Sequence, residues 1–72
     1  MPAVKGSEIR ERRERLGLKR SQLASRVDIS REHLACLELG YNTAAIEVVY
    51  RIATVLGARA EDLLAEPDGN AA

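Results

Sequence analysis

Apolar residues recur along this chain at intervals of three and four, and glycines and one aspartate divide them into short runs. Ile9, Arg13 and Leu16 share a face of a first helix that Ser7 is placed to cap, with Glu8 in its first turn and Gly17 as its stop. Leu23, Ala24 and Val27 mark a short second segment from about Arg20 to Val27, which Asp28 interrupts ahead of Ile29. Ser30 offers a hydroxyl cap to a third segment, Arg31 to Leu39. Glu32 sits in its first turn, where the positive end of the helix dipole favours a carboxylate, and Gly40 ends it. On a helical wheel Leu34 and Leu37 face one side, while Glu32, Cys36 and Leu39 cluster on the other, flanked by His33 and Ala35. The clearest periodicity belongs to a fourth segment, in which Ile46, Val49, Ile52, Ala53 and Leu56 form one stripe and Gly57 is the stop. A brief fifth segment, Ala60 to Ala65, adds Leu63 and Leu64. Strand alternation is absent over any useful length. The pattern predicts an all-α domain of five short helices over residues 7–65, with an N-terminal arm at 1–6 and a flexible tail at 66–72.

Composition narrows the function classes. A chain of 72 residues makes one domain, and at this size folding buries only about 60–65% of the unfolded surface, which leaves no core for an enclosed substrate cavity. The single cysteine, Cys36, excludes an internal disulfide. His33 and Cys36 lie at i, i+3 beside Glu32, too few ligands for a zinc site, so neither a metal nor any other cofactor is assigned. No apolar run approaches the roughly 20 residues of a membrane span, and a cytoplasmic location with no membrane partner is expected. With no glycine-rich phosphate loop and no paired base and nucleophile, the chain is not expected to be an enzyme or to take a small-molecule substrate.

Charge changes the picture once more. Eleven Lys and Arg balance eleven Asp and Glu, and a zero sum argues at first against nucleic acid, whose phosphates attract cations. The distribution is polarised: residues 1–31 carry nine basic and four acidic side chains, residues 32–72 two and seven.

Two short helices over about residues 20–39, with Ile29 pinned between them and a cap serine opening the second, have the form of a helix-turn-helix. In that motif the second helix enters the major groove of double-stranded DNA with its first residues against base edges, here Arg31, Glu32 and His33. Leu16-Gly17-Leu18, Leu23-Ala24, Ile29-Ser30, Leu37-Glu38-Leu39-Gly40, Ile52-Ala53 and Leu56-Gly57, in this order and spacing, resemble the Cro/cI (lambda-repressor-like, XRE) family of DNA-binding domains over roughly residues 8–65. The resemblance implies a compact five-helix fold and sequence-specific DNA binding by a transcriptional regulator, a dimeric repressor or controller on a palindromic operator. It places Arg20 where the family usually has a phosphate-contacting glutamine, and Arg31, Glu32 and Cys36 at base-reading positions. It also makes Arg13 and Glu38 an internal salt bridge between the first and third helices. The chain departs from the family at Lys19 and Arg59, where a Ser or Thr cap or a Ser is usual, and at Ala44, often Pro; each lost cap weakens a helix end by about 1 kcal/mol.

Arg31, at a helix start where its charge opposes the dipole, has a fork that matches guanine O6 and N7. Glu32 can accept from cytosine N4, or simply favour the dipole; His33 donates to a phosphate or base edge; Cys36 offers a small apolar surface to a thymine methyl. Lys19, Arg20 and Arg26 are the phosphate candidates, and Asn42 and Thr43 in the following loop add contacts to the backbone. The remaining arginines of the first helix read as i, i+4 surface pairs such as Glu8–Arg12 and Glu11–Arg15. Val48 and Val55, off the main stripe of the fourth helix, together with Leu64, are candidates for a homodimer interface, with ordinary core filling as the alternative. A different reading keeps the fold but not the DNA: a protein-interaction adaptor, suggested by zero net charge and by Glu32 and Leu39 on the offered face.

Overall fold

The computed structural model describes residues 4–40 and 44–64. Five helices follow one another: α1 (Gly6–Arg15), α2 (Arg20–Arg26), α3 (Arg31–Leu39), α4 (Ile46–Leu56) and α5 (Ala60–Leu63). Among the described residues the only extended pairing is an isolated antiparallel bridge between Val4 and Leu64. The all-α, five-helix architecture therefore stands as the spacing of the apolar residues predicted it.

The core is built from medium and small side chains, as a chain without Phe or Trp requires. Ile9, Leu23, Val27, Leu34, Leu37, Val49, Ile52 and Leu63 are its largest fully buried members, one or more from every helix except for Val27, which caps α2. α3 packs against both α1 and α2, and α4 closes the other side with α5. Two residues expected on the buried stripes are not there: Leu16 and Ile46 are exposed. Leu16 caps the C-terminus of α1 and Ile46 is the first residue of α4, so both stand at helix ends.

Chain reversal uses one chemistry three times. Within two residues of the ends of α1, α2 and α4 the chain adopts a left-handed conformation, Gly17 at φ 74°, Asp28 at φ 64° and Gly57 at φ 69°. The residue after each returns its N–H to a carbonyl five positions back: Leu18 to Arg13, Ile29 to Ala24 and Ala58 to Ala53. This is the Schellman closure, which satisfies the free carbonyls of a helix end and points an apolar residue back at the core. Ile29, half-buried against the core, is that residue between α2 and α3. Aspartate there is one of the few side chains that tolerate the left-handed region.

Three helix starts differ from the expected ones. Ser7 does not cap α1; the helix begins at Gly6 behind Lys5, whose N–H donates to the Leu63 carbonyl at 2.7 Å. Val4 and Lys5, expected in a terminal arm, thus pair with Leu64 and Leu63 at the end of α5, and Gly6 already belongs to α1. Lys19 and Arg59, which have no side-chain acceptor to offer, are compensated from within their helices: the Lys19 N–H donates to Gln22 Oε1 at 2.7 Å and the Arg59 N–H to Asp62 Oδ2 at 3.2 Å. These are the return halves of capping boxes, so neither end is left bare. Ser30 caps α3 as expected, accepting from the His33 N–H at 2.9 Å.

Gly6 is buried where α1 crosses the end of α3. A Cβ at this position would collide with the backbone carbonyls of Leu37 and Glu38, lying 2.7 Å from the Glu38 carbonyl carbon. Backbone cannot swing aside as a side-chain tip can. Gly6→Ala is expected to cost at least about 1–3 kcal/mol of stability, the usual penalty of overpacking, measured as a lowered urea midpoint; an unchanged midpoint would show that α1 and α3 are free to separate.

Candidate nucleic-acid interface

The site begins inside the domain. Arg13 on α1 and Glu38 on α3 are both buried, their side chains 8% and 1% exposed. The guanidinium grips the carboxylate with two bonds, Nε to Oε2 at 2.7 Å and Nη2 to Oε1 at 3.2 Å, and its Nη1 donates to the Leu18 carbonyl at 2.9 Å. A second cation joins: Arg20 Nε donates to Glu38 Oε1 at 3.1 Å. One carboxylate on α3 therefore holds α1 and the first residue of α2 at once, while Arg13 itself ties in the α1–α2 turn. Among the described residues no buried side-chain nitrogen or oxygen lacks a partner, the condition under which a buried charge is tolerated.

This clamp sets the start of α2 beside the first half of α3. Between them lies an open concavity of ≈ 470 Å³ lined by Lys19, Arg20, Ser21, Arg31, Glu32 and Ala35. Lys19 and Arg31 are exposed and Arg20 half-exposed. Arg31 and Glu32 lean toward each other, Nη2 to Oε2 3.7 Å, with both side chains largely in solvent. Such a contact is weak and readily exchanged for a ligand. The concavity presents three cationic groups, one carboxylate, a hydroxyl and a methyl, a surface suited to phosphate oxygens and base edges.

Of the residues expected to contact DNA, Lys19, Arg20, Arg31 and Glu32 thus come together. His33 and Cys36 are half-buried on the same helix but do not line the concavity, and Arg26 is exposed at the far end of α2. Asn42 and Thr43 lie outside the described residues. Arg20 is not the free cation its position suggested, since its Nε is committed to Glu38. Ser21 and Ala35 line the concavity without having been expected; Ala35 follows Arg31 by four residues and so shares its face. The proposed interface residues Val48, Val55 and Leu64 are half-buried and packed against their own core, the bland alternative for each. Among the described residues the large apolar side chains that stand out are Leu16 and Leu39, 55% and 59% exposed, and Ile46 and Tyr50, 44% and 58% exposed and one turn apart on α4.

Two short helices crossing at a tight turn, the second presenting its first turns beside the N-terminus of the first, define a helix-turn-helix domain. The chain belongs to the Cro/cI (XRE) helix-turn-helix family, whose model, described as "Helix-turn-helix", matches residues 9–63. It is 40% identical over 55 residues to an HTH-type transcriptional regulator of Archaeoglobus fulgidus, covering 76% of this chain and 79% of that one. Among solved structures it resembles ClgR, the clp gene regulator of Corynebacterium glutamicum, with TM-score 0.75 and 28% identity over 79% of this chain; the match spans 61% of that structure. It has the fold of the P22 c2 repressor solved in complex with a synthetic operator, with TM-score 0.77 and 21% identity over 81% of this chain and 88% of that one. Among the described residues no helix is long and apolar enough to cross a membrane.

Removing Arg13 would leave the Glu38 carboxylate buried with only Arg20 beside it. Arg13→Ala is expected to lower the unfolding free energy by about 3–5 kcal/mol, as breaking a buried pair from one side does. Chemical denaturation checks it; a loss under about 1 kcal/mol, the value of a surface pair, would mean that the clamp is not buried in solution.

Proposed function

We propose that this domain is a sequence-specific regulator of transcription that binds double-stranded DNA with the concavity between α2 and α3, acting as a dimeric repressor or controller on a palindromic operator. The observation that carries the reading is the convergence of Lys19, Arg20, Arg31 and Glu32 on one open surface at the start of the second helix of a helix-turn-helix. The names of its relatives and the operator complex of a repressor with the same fold support it.

In this reading α3 lies in the major groove. Arg31 offers its fork to guanine, and Glu32 accepts from cytosine N4 and repels phosphates when the helix is misplaced. Lys19 and Arg20 neutralise a backbone phosphate at the groove's edge, and His33 and Cys36 are reached only as the helix seats more deeply. One domain reads too few base pairs by itself, so two copies on an inverted repeat supply the rest. Leu39, Ile46 and Tyr50 are among the exposed apolar side chains available to a second copy, with Val48, Val55 and Leu64 at the margin.

Binding to mixed and selected duplexes, followed by fluorescence anisotropy, tests the reading. Affinity is expected to fall steeply with added salt. Arg31→Ala should relax preference at one base step and cost about 1–3 kcal/mol on the preferred site, while Lys19→Ala should weaken all duplexes alike and flatten the salt slope by about 1. A wild-type domain with no salt-sensitive DNA signal would favour the protein-interaction adaptor instead. Sedimentation at tens of micromolar checks the dimer: Tyr50→Lys should shift a dimer toward monomer, and a wild-type domain that is wholly monomeric both alone and on a palindromic duplex would remove that part of the reading.

A further inference from the structure

Glu38 faces away from solvent and lines no part of the concavity, yet it is bonded to a side chain that does. We propose that Glu38 is a positioning residue for DNA binding: it fixes Arg20 through Nε, so that the Nη nitrogens are presented, already ordered, to a backbone phosphate. The inference rests on the reading that the concavity meets DNA.

Three features of the clamp carry it. First, the carboxylate is held by Arg13 on α1 through both of its oxygens, so Arg20 binds an acceptor that is itself immobile. Secondly, the bond to Arg20 uses Nε alone, and among the described residues nothing engages its Nη nitrogens. With 37% of the side chain exposed and Arg20 on the wall of the concavity, those nitrogens are the donors open to a ligand. Thirdly, the two guanidiniums that share this carboxylate are not equivalent: Arg13 has a second carboxylate, Glu14, at 3.8 Å, whereas among the described residues Arg20, at the mouth of the site, has Glu38 alone. A phosphate oxygen seated there completes a cation–anion alternation that starts in the core.

Arginine is suited to this task and lysine is not. The planar guanidinium has separate donor edges, so one can be spent on Glu38 while another faces a phosphate. Ordering such a side chain beforehand moves its entropy cost from binding to folding. Loss of that ordering is worth roughly a 2- to 12-fold change in affinity, from the usual cost of immobilising one long side chain.

The test is a double-mutant cycle on a mixed-sequence duplex at low salt, with Glu38→Gln and Arg20→Ala singly and together, at a temperature where circular dichroism shows every variant folded. Glu38→Gln is expected to weaken binding roughly 2- to 12-fold when Arg20 is present and to leave it unchanged in the Arg20→Ala background. Equal weakening in both backgrounds would make Glu38 merely structural and overturn the proposal. Should Glu38→Gln not fold, nitrogen-15 relaxation of the arginine Nε–H groups in the free wild-type domain decides: Arg20 is expected to be as rigid as Arg13 and more rigid than Arg31, and an Arg20 as mobile as Arg31 overturns it. A wild-type domain that binds no duplex overturns both this inference and the DNA-binding reading, whereas binding without coupling between the two residues overturns this inference alone.

Discussion

A single buried carboxylate, Glu38, receives three hydrogen bonds from two arginines that belong to different helices. Buried ion pairs are poor sources of net stability, because withdrawing charges from water offsets most of their attraction. Their value is direction. Two near-parallel bonds from Arg13 allow only one approach of α1 to α3, and the bond from Arg20 allows only one placement of the start of α2 beside them. Apolar contacts at this junction would tolerate sliding; a forked guanidinium on a carboxylate does not. The shape of the concavity between α2 and α3 is a consequence of that geometry.

The remainder of the fold makes the junction dry and close. Without Phe or Trp, the core among the described residues depends on Leu, Ile, Val and Ala packed at short range, and on Gly6 letting the backbones of α1 and α3 touch. Left-handed residues at 17, 28 and 57 end three helices abruptly and turn the following residue inward. The tightness of the α2–α3 connection rests on Asp28, whose conformation lets the chain reverse within a few residues and leaves Ser30 free to open α3 with a cap. α3 thus starts where it does because of local backbone chemistry, and faces where it does because of Glu38.

Helix positions were legible in the sequence because glycine stops and apolar periodicity are local signals. Ser30, Gly40 and Gly57 do what their residue types imply. The misreadings all concern partners distant along the chain or choices between neighbours. Ser7 looked like a cap, but a Lys5 bond to Leu63 starts the helix earlier. Lys19 looked uncapped because its compensation comes from the glutamine three residues later. Leu16 and Ile46 fit the periodicity but sit at helix ends where the stripe runs out into solvent. In the site, Lys19, Arg31 and Glu32 followed from the form of the motif, and the Arg13–Glu38 pair from family resemblance alone. That Arg20 shares Glu38 spans 18 positions, and no periodicity signals a contact between residues on different helices.

Zero net charge is reconciled with the proposed DNA-facing surface by this arrangement. The basic excess of residues 1–31 is largely consumed in pairs on α1 and in the clamp, as with Arg10–Glu14 and Arg12–Glu8. What reaches the concavity is a small set of donors, Lys19, Arg31 and the Arg20 that Glu38 holds, in place of a broad positive field, which in the proposed reading favours geometry over general attraction. Backbone amide shifts of the folded domain, followed while a mixed-sequence duplex is added, test that claim most directly. The largest changes should fall at residues 19–21 and 31–35, on both walls of the concavity together. Changes concentrated on the exposed face of α4, around Ile46 and Tyr50, with the concavity undisturbed, would contradict it.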